Sequence, residues 1–139
     1  AAHVGHMTLL PDGPVCNCGN PGCWEALAAG PALTAAARRA GFADGEAVFA
    51  AARAGDPGAM AVAAAEARWL GIGIVSLLHV YSPDIVVLGG GVMNGLDVLH
   101  PAMSSEIAAR AEALARIQSD MMALLHQVLP GAVTDEAAH

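Results

Sequence analysis

Positive charge is what this chain has least of. Six arginines and no lysine stand against thirteen aspartates and glutamates, a formal net charge of −7 over 139 residues. Nucleic-acid binding needs clustered cations to displace counterions, and a peripheral membrane helix needs a basic polar face. Neither is present, so no nucleic acid and no membrane are expected as partners of this part of the protein. Charge of any sign is thin, at 14% of residues against 55% hydrophobic, and mean hydropathy is +0.51. Much of that apolar content is alanine, a small helix former, and little of it is phenylalanine. The most apolar stretch, Trp69 to Tyr81, is too short to span a bilayer and carries a histidine; a central buried helix is expected there. No basic segment followed by an apolar core opens the chain, so no signal peptide is visible and a cytoplasmic location is the default expectation. Internal repeats and low-complexity linkers are also missing. The length suits one ordinary domain with a single core.

Cysteine is nearly absent too. All three cysteines lie within "CNCGNPGC", Cys16 to Cys23, a short step after His6. Three thiols cannot all pair within one chain, which favours metal binding or free thiols over a disulfide framework. His6, Cys16, Cys18 and Cys23 make up a Cys₃His set, the soft and borderline donors that Zn²⁺ takes at the corners of a tetrahedron. Pro11 to Pro14 reads as a chain-reversing turn, and Gly19 and Gly22 allow the sharp bends that would fold the loop back onto one ion. Ligands near in sequence close a small loop at low entropic cost. Four protein ligands leave no open position, so such a zinc would be structural. Redox thiols, or inert cysteines in a turn, are the competing readings.

Along the rest of the chain, residues 1–10 end in an apolar run that suggests a strand. Helix is expected from Trp24, and again over "PALTAAARRAG", closed by Gly41. Asp44 N-caps a short helix stopped by Gly55, and Asp56 with Pro57 opens a long one running to about Ser82. In that helix Glu66 and Arg68 are expected to face solvent, its second half to enter the core, and Gly71 and Gly73 to permit close packing. Ile85 to Leu88 is an unbroken apolar, largely β-branched run, predicted as a strand buried on both faces and ended by Gly89, Gly90 and Gly91. Helix resumes from Asp97 to about Leu129 with a break near Ile117 to Asp120, and the tail "PGAVTDEAAH" carries little signal. Helices with a few buried strands make the fold α/β or α+β.

The segments "VGH" (Val4 to His6), "CNCGNPGCWE" (Cys16 to Glu25) and "SPDIVVLGGGV" (Ser82 to Val92) resemble the ROK family of repressors, open reading frames and sugar kinases, over most of the chain to about Arg110. The resemblance implies an α/β fold: residues 1–139 as a single partial domain, the helix-rich C-terminal lobe of an actin-like (ribonuclease H-like) sugar kinase. Residues 1–30 would form the zinc-pinned loop region and 31–139 the helical and strand core, with the N-terminal lobe absent. It further implies that His6 binds zinc through one ring nitrogen and offers the other to a sugar hydroxyl, that Glu25 accepts hydrogen bonds from the sugar, and that Gly89, Gly90 and Gly91 lie along ATP. Read without the resemblance, Glu25 is better taken as a solvated first-turn carboxylate favoured by the helix dipole, and the glycines read as a strand-to-helix turn needing positive φ.

Three departures bear on function. His3 stands where the family carries a sugar-binding glutamate, which puts the choice of sugar in question. The phosphate-binding Asp-x-Gly-x-Thr segment and the catalytic aspartate have no counterpart, since Asp12, Asp84 and Asp97 lie in other contexts; no catalytic residue is therefore assigned. The end of the chain from about Ile117 lacks the family's Gly- and Ala-rich final helix region. The expectation is a fragment inactive alone, drawn from an ATP- and Mg²⁺-dependent hexose kinase of glucokinase type, with a homodimer as its assembly. The alternative is a sugar-responsive transcriptional repressor whose DNA-binding segment lies upstream.

Overall fold

A computed structural model describes residues 3–128. The chain divides into two compact units, Ala1–Ile107 and Ala108–His139. In the second, residues 108–128 are helical. The first unit holds a 3-10 turn at Val4–His6, four helices (α1, Trp24–Leu27; α2, Gly30–Arg39; α3, Gly45–Arg53; α4, Pro57–Tyr81), a second 3-10 turn at Gly91–Gly95, and the opening turns of α5, Leu96–Val128.

The helix starts follow local chemistry. The Asp44 carboxylate accepts from the Ala47 N–H at 2.9 Å and Asp56 from Ala59 at 2.8 Å, each satisfying an amide that the first helical turn leaves unpaired. Pro57 then occupies the first position of α4, where its missing N–H costs nothing. Asp56→Ala is expected to destabilise the chain by about 1 kcal/mol, read as a lower urea midpoint with an unchanged denaturant slope.

Helix α4 organises the core. Ala59, Ala63, Ala67, Leu70 and Ile74 form one stripe of its surface and are buried with Leu33 and Ala37 of α2, Val48 and Phe49 of α3, and Leu99 and Met103 of α5. Alanine on that stripe lets neighbouring helices come close, and the larger side chains facing it fill the space: Val48 and Leu99 are fully buried. By length and composition alone α4 could cross a bilayer, but its apolar stripe is occupied by these helices. Gly71 and Gly73 both sit at close approaches, to Glu106 and Met103 on one side and to Trp24 on the other, as the sequence led us to expect. At the surface Arg53 makes a two-pronged pair with Asp97, Nε to Oδ2 at 2.7 Å and Nη2 to Oδ1 at 2.6 Å, and also donates to the Asn94 carbonyl. Both partners are well exposed, so the pair contributes little.

Four expectations need correcting. No β-strand occurs among the described residues; only two isolated bridges do, Thr8 to Cys23 and Val15 to Pro21. Ile85 to Leu88 takes no regular secondary structure and pairs with no other described segment, and Ile85 and Val87 are 79% and 84% exposed where burial on both faces was predicted. A β-branched run specifies an extended backbone, whereas a strand also needs neighbours to accept its hydrogen bonds. For the same reason the run ending residues 1–10 yields a 3-10 turn and a single bridge. Glu66 does not face solvent: it is buried at 4% exposure, while Arg68 is exposed as expected. Finally, α5 runs unbroken through residues 117–120. The tail from Leu129 lies outside the described residues.

Candidate functional site

The Cys/His loop is built by backbone hydrogen bonds that bring its two ends together. The N–H groups of Leu9 and Leu10 both donate to the Gly22 carbonyl, Gly22 donates back to Pro14 at 2.8 Å, and Cys16 donates to Asn20 at 2.9 Å. Gly22 has a φ of +68°, and a Cβ there would run into the Leu10 carbonyl, so no other residue fits the crossing. The Trp24 N–H then donates to Met7 at 2.8 Å, which sets Cys23 beside the turn that carries His6.

These constraints gather one ligand atom each from His6, Cys16, Cys18 and Cys23 within 4.8 Å of one another. The Cys16 sulfur lies 3.6 Å from His6 Nδ1, and the sulfurs of Cys18 and Cys23 are 3.5 Å apart. Tetrahedral Zn²⁺ with its usual bond lengths implies donor–donor edges of about 3.5–3.8 Å, a range that these two distances match. The donor chemistry fits as well. Burial pushes the Cys23 thiol up to about 12, with Cys18 and Cys16 adding to the effect, whereas a backbone hydrogen bond at Asn20 holds Cys18 below the usual thiol range. Three thiols this close cannot all ionise without a cation among them. All four metal-site residues named from the sequence are thus brought together, and the group could hold a metal ion. A metal there would supply cross-linking of the loop, with no open coordination position.

Glu25, in the first turn of α1, lies between two cavities. One, of about 220 Å³, is walled by Pro14 to Asn17 and by the start of α2; the other, of about 340 Å³, is walled by Val4, Gly5, Trp24, Leu70, Ile74, Val87, Leu88, Gly89 and Met93. Gly5 packs beneath the carboxylate, since a Cβ there would stand 3.3 Å from Oε2. The larger cavity therefore has an apolar floor, one carboxylate, and Gly89 on its wall. Of the three glycines only Gly89 reaches it. Gly91 lines a different depression beside Asp44 and Glu46, and Gly90 takes a φ of +93° that the turn itself demands. The His3 ring stacks on His6, centroids 6.0 Å apart, so the two histidines adjoin but His3 is outside the ligand group.

One residue escaped the reading of the sequence. Trp24 donates from its indole Nε1 to the Trp69 carbonyl at 2.9 Å, and its ring covers Gly73. Glycine inside an otherwise helical run was the available signal, but it did not reveal which side chain would fill the space.

Comparison with known proteins places this arrangement. Residues 1–130 match the ROK family. The glucokinase of Streptomyces coelicolor is 34% identical over 125 residues, spanning 76% of this chain and 39% of that protein. The xylose repressor of Bacillus subtilis is 29% identical over 114 residues, spanning 79% of this chain and 29% of the repressor. The structure of a ROK family glucokinase from Streptomyces griseus, in complex with glucose and AMPPNP, superposes with a TM-score of 0.67 at 31% identity, over 77% of this chain and 42% of that one. The chain spans less than half the length of each of these relatives. With a family match over nearly its whole length and a helical arrangement shared with a sugar kinase of that family, the chain belongs to the ROK family.

Proposed function

We propose that this chain is the sugar-binding and zinc-binding part of an ATP-dependent hexose kinase of glucokinase type. The observation that carries the reading is the larger cavity, which sets the Glu25 carboxylate and Gly89 on walls of one apolar-floored space. A carboxylate accepts from two hydroxyls at once, which suits a polyol. His6, fixed through Nδ1 on the Cys16 side, keeps its other nitrogen for a further hydroxyl, and His3 beside it supplies a donor or acceptor in place of a carboxylate. Zn²⁺ on His6, Cys16, Cys18 and Cys23 holds this wall rigid. Gly89 borders the nucleotide, and Gly90 and Gly91 shape the turn that follows. Phosphoryl transfer also needs charge neutralisation of the phosphates and a base aligned on the hydroxyl; the proposal assigns neither to a residue of this chain.

The test is a coupled ATP-consumption assay on the complete gene product, offered glucose, mannose, fructose and N-acetylated hexosamines. Sugar-dependent ADP release is expected, with sugar affinity falling about 10- to 100-fold in Glu25→Ala, as befits loss of charge-assisted hydrogen bonds. The likeness to the xylose repressor supports a second reading, a sugar sensor. Sugar binding with no ADP release would favour it, and absence of sugar binding would defeat both.

A further inference from the structure

Trp24 stands in sequence between a thiol of the Cys/His group and the carboxylate of the cavity, and its side chain reaches to α4. The indole N–H bonds the carbonyl of Trp69 at 2.9 Å, in the middle of α4. That carbonyl is the one helical geometry pairs with the amide of Gly73, and Gly73 is the residue the ring covers: a Cβ there would overlap Cδ2, Cε2 and Cζ2 of the indole. Glycine is a poor helix former, yet it occupies this buried position in a helix otherwise rich in alanine. Trp24 is thus gripped at two points of α4, while its own N–H is held by Met7, the residue after His6. Cys23 before it is fully buried, and Glu25 after it lines the cavity whose wall Trp24 also forms.

We propose that Trp24 is a positioning residue that couples metal occupancy of the Cys/His group to the placement of Glu25, by tying α1 to α4 through the Trp69 carbonyl and the gap at Gly73. This rests on reading the group as a Zn²⁺ site. Binding free energies are reciprocal, so a metal that fixes Cys23 must favour the seated indole, and an unseated indole must weaken the metal.

The experiment uses the 139-residue chain and Zn²⁺ itself. Affinity is measured by competition with a chromophoric chelator for the wild type, Trp24→Phe and Gly73→Ala. The first variant keeps a ring but loses the N–H, and the second fills the gap. Emission is followed in a Trp69→Phe background, where Trp24 is the sole indole and the backbone acceptor remains. Expected are a 10- to 100-fold loss of Zn²⁺ affinity in both variants, of the order seen for groups that orient metal ligands, and a red shift of Trp24 emission on zinc removal. Helix propensity alone predicts that Gly73→Ala does no harm, so its loss of zinc affinity is the result a merely helical role would not produce. Wild-type affinity in both variants, or emission blind to zinc, overturns the coupling while leaving the zinc site standing. A wild-type chain that takes up no Zn²⁺ overturns both.

Discussion

Glu66→Gln is expected to stabilise the fold by up to about 5 kcal/mol at pH 8.5 and by almost nothing at pH 4. Burial raises the Glu66 carboxyl from its ordinary 4.5 to about 8, and among the described residues its Oε1 has no hydrogen-bond partner. Below pH 4.5 the group is neutral in folded and unfolded chains alike and takes nothing from stability. Between about 4.5 and 8 the unfolded chain ionises while the folded one holds its proton, so stability falls as pH rises. Above 8 the folded chain carries a buried charge, and the loss reaches its full extent. Glutamine keeps the size and hydrogen-bonding character of the neutral acid and does not titrate. Urea unfolding of both chains at pH 4, 6 and 8.5 would show their stabilities diverging upward in pH; parallel profiles would mean that Glu66 is hydrated or paired in solution.

With Zn²⁺ bound to the Cys/His group, its removal should have an effect of similar size and opposite sign. At free Zn²⁺ a thousandfold above its Kd, mass action adds about 4 kcal/mol to the folded state, so chelation is expected to lower the thermal midpoint by roughly 10–15 °C for a domain of this size. Cys23→Ser should abolish that difference, since Cys23 is the fully buried member of the group and a hydroxyl is a poor ligand for zinc. Loading must also expel thiol protons, so the same titration should show affinity rising with pH. Equal midpoints with and without chelator would leave the four side chains as a packed cluster of thiols.

What the sequence disclosed divides along the range of the forces involved. Helices α2, α3 and α4 could be placed because Asp44, Asp56, Pro57 and the glycines at 41 and 55 act within one turn of where they stand. The candidate metal-ligating residues could be named because one histidine and all three cysteines of the chain lie within eighteen positions, and donor chemistry does not depend on fold. Glu66 was misplaced because helical periodicity says which residues share a face and not which neighbour will cover it. The Ile85–Leu88 segment was misread since a strand is a property of two segments. Trp24 could not be understood from its surroundings at all: its acceptor lies forty-five residues away, and the clue at Gly73 needed the packed structure to acquire a partner.

The exposed Ile85–Leu88 segment has a practical side. Its run is apolar and largely β-branched, it joins no ladder among the described residues, and its side chains include two of the most exposed large hydrophobics described. Such a stretch is a template on which a like stretch from another molecule can add edge to edge, and soluble proteins ordinarily blunt it with charge or proline; Pro83 and Asp84 do so at one end only. Concentration, more than heat, is therefore the condition that will turn solutions of this chain turbid, and a lysine at Val87 is the smallest change that would keep them clear.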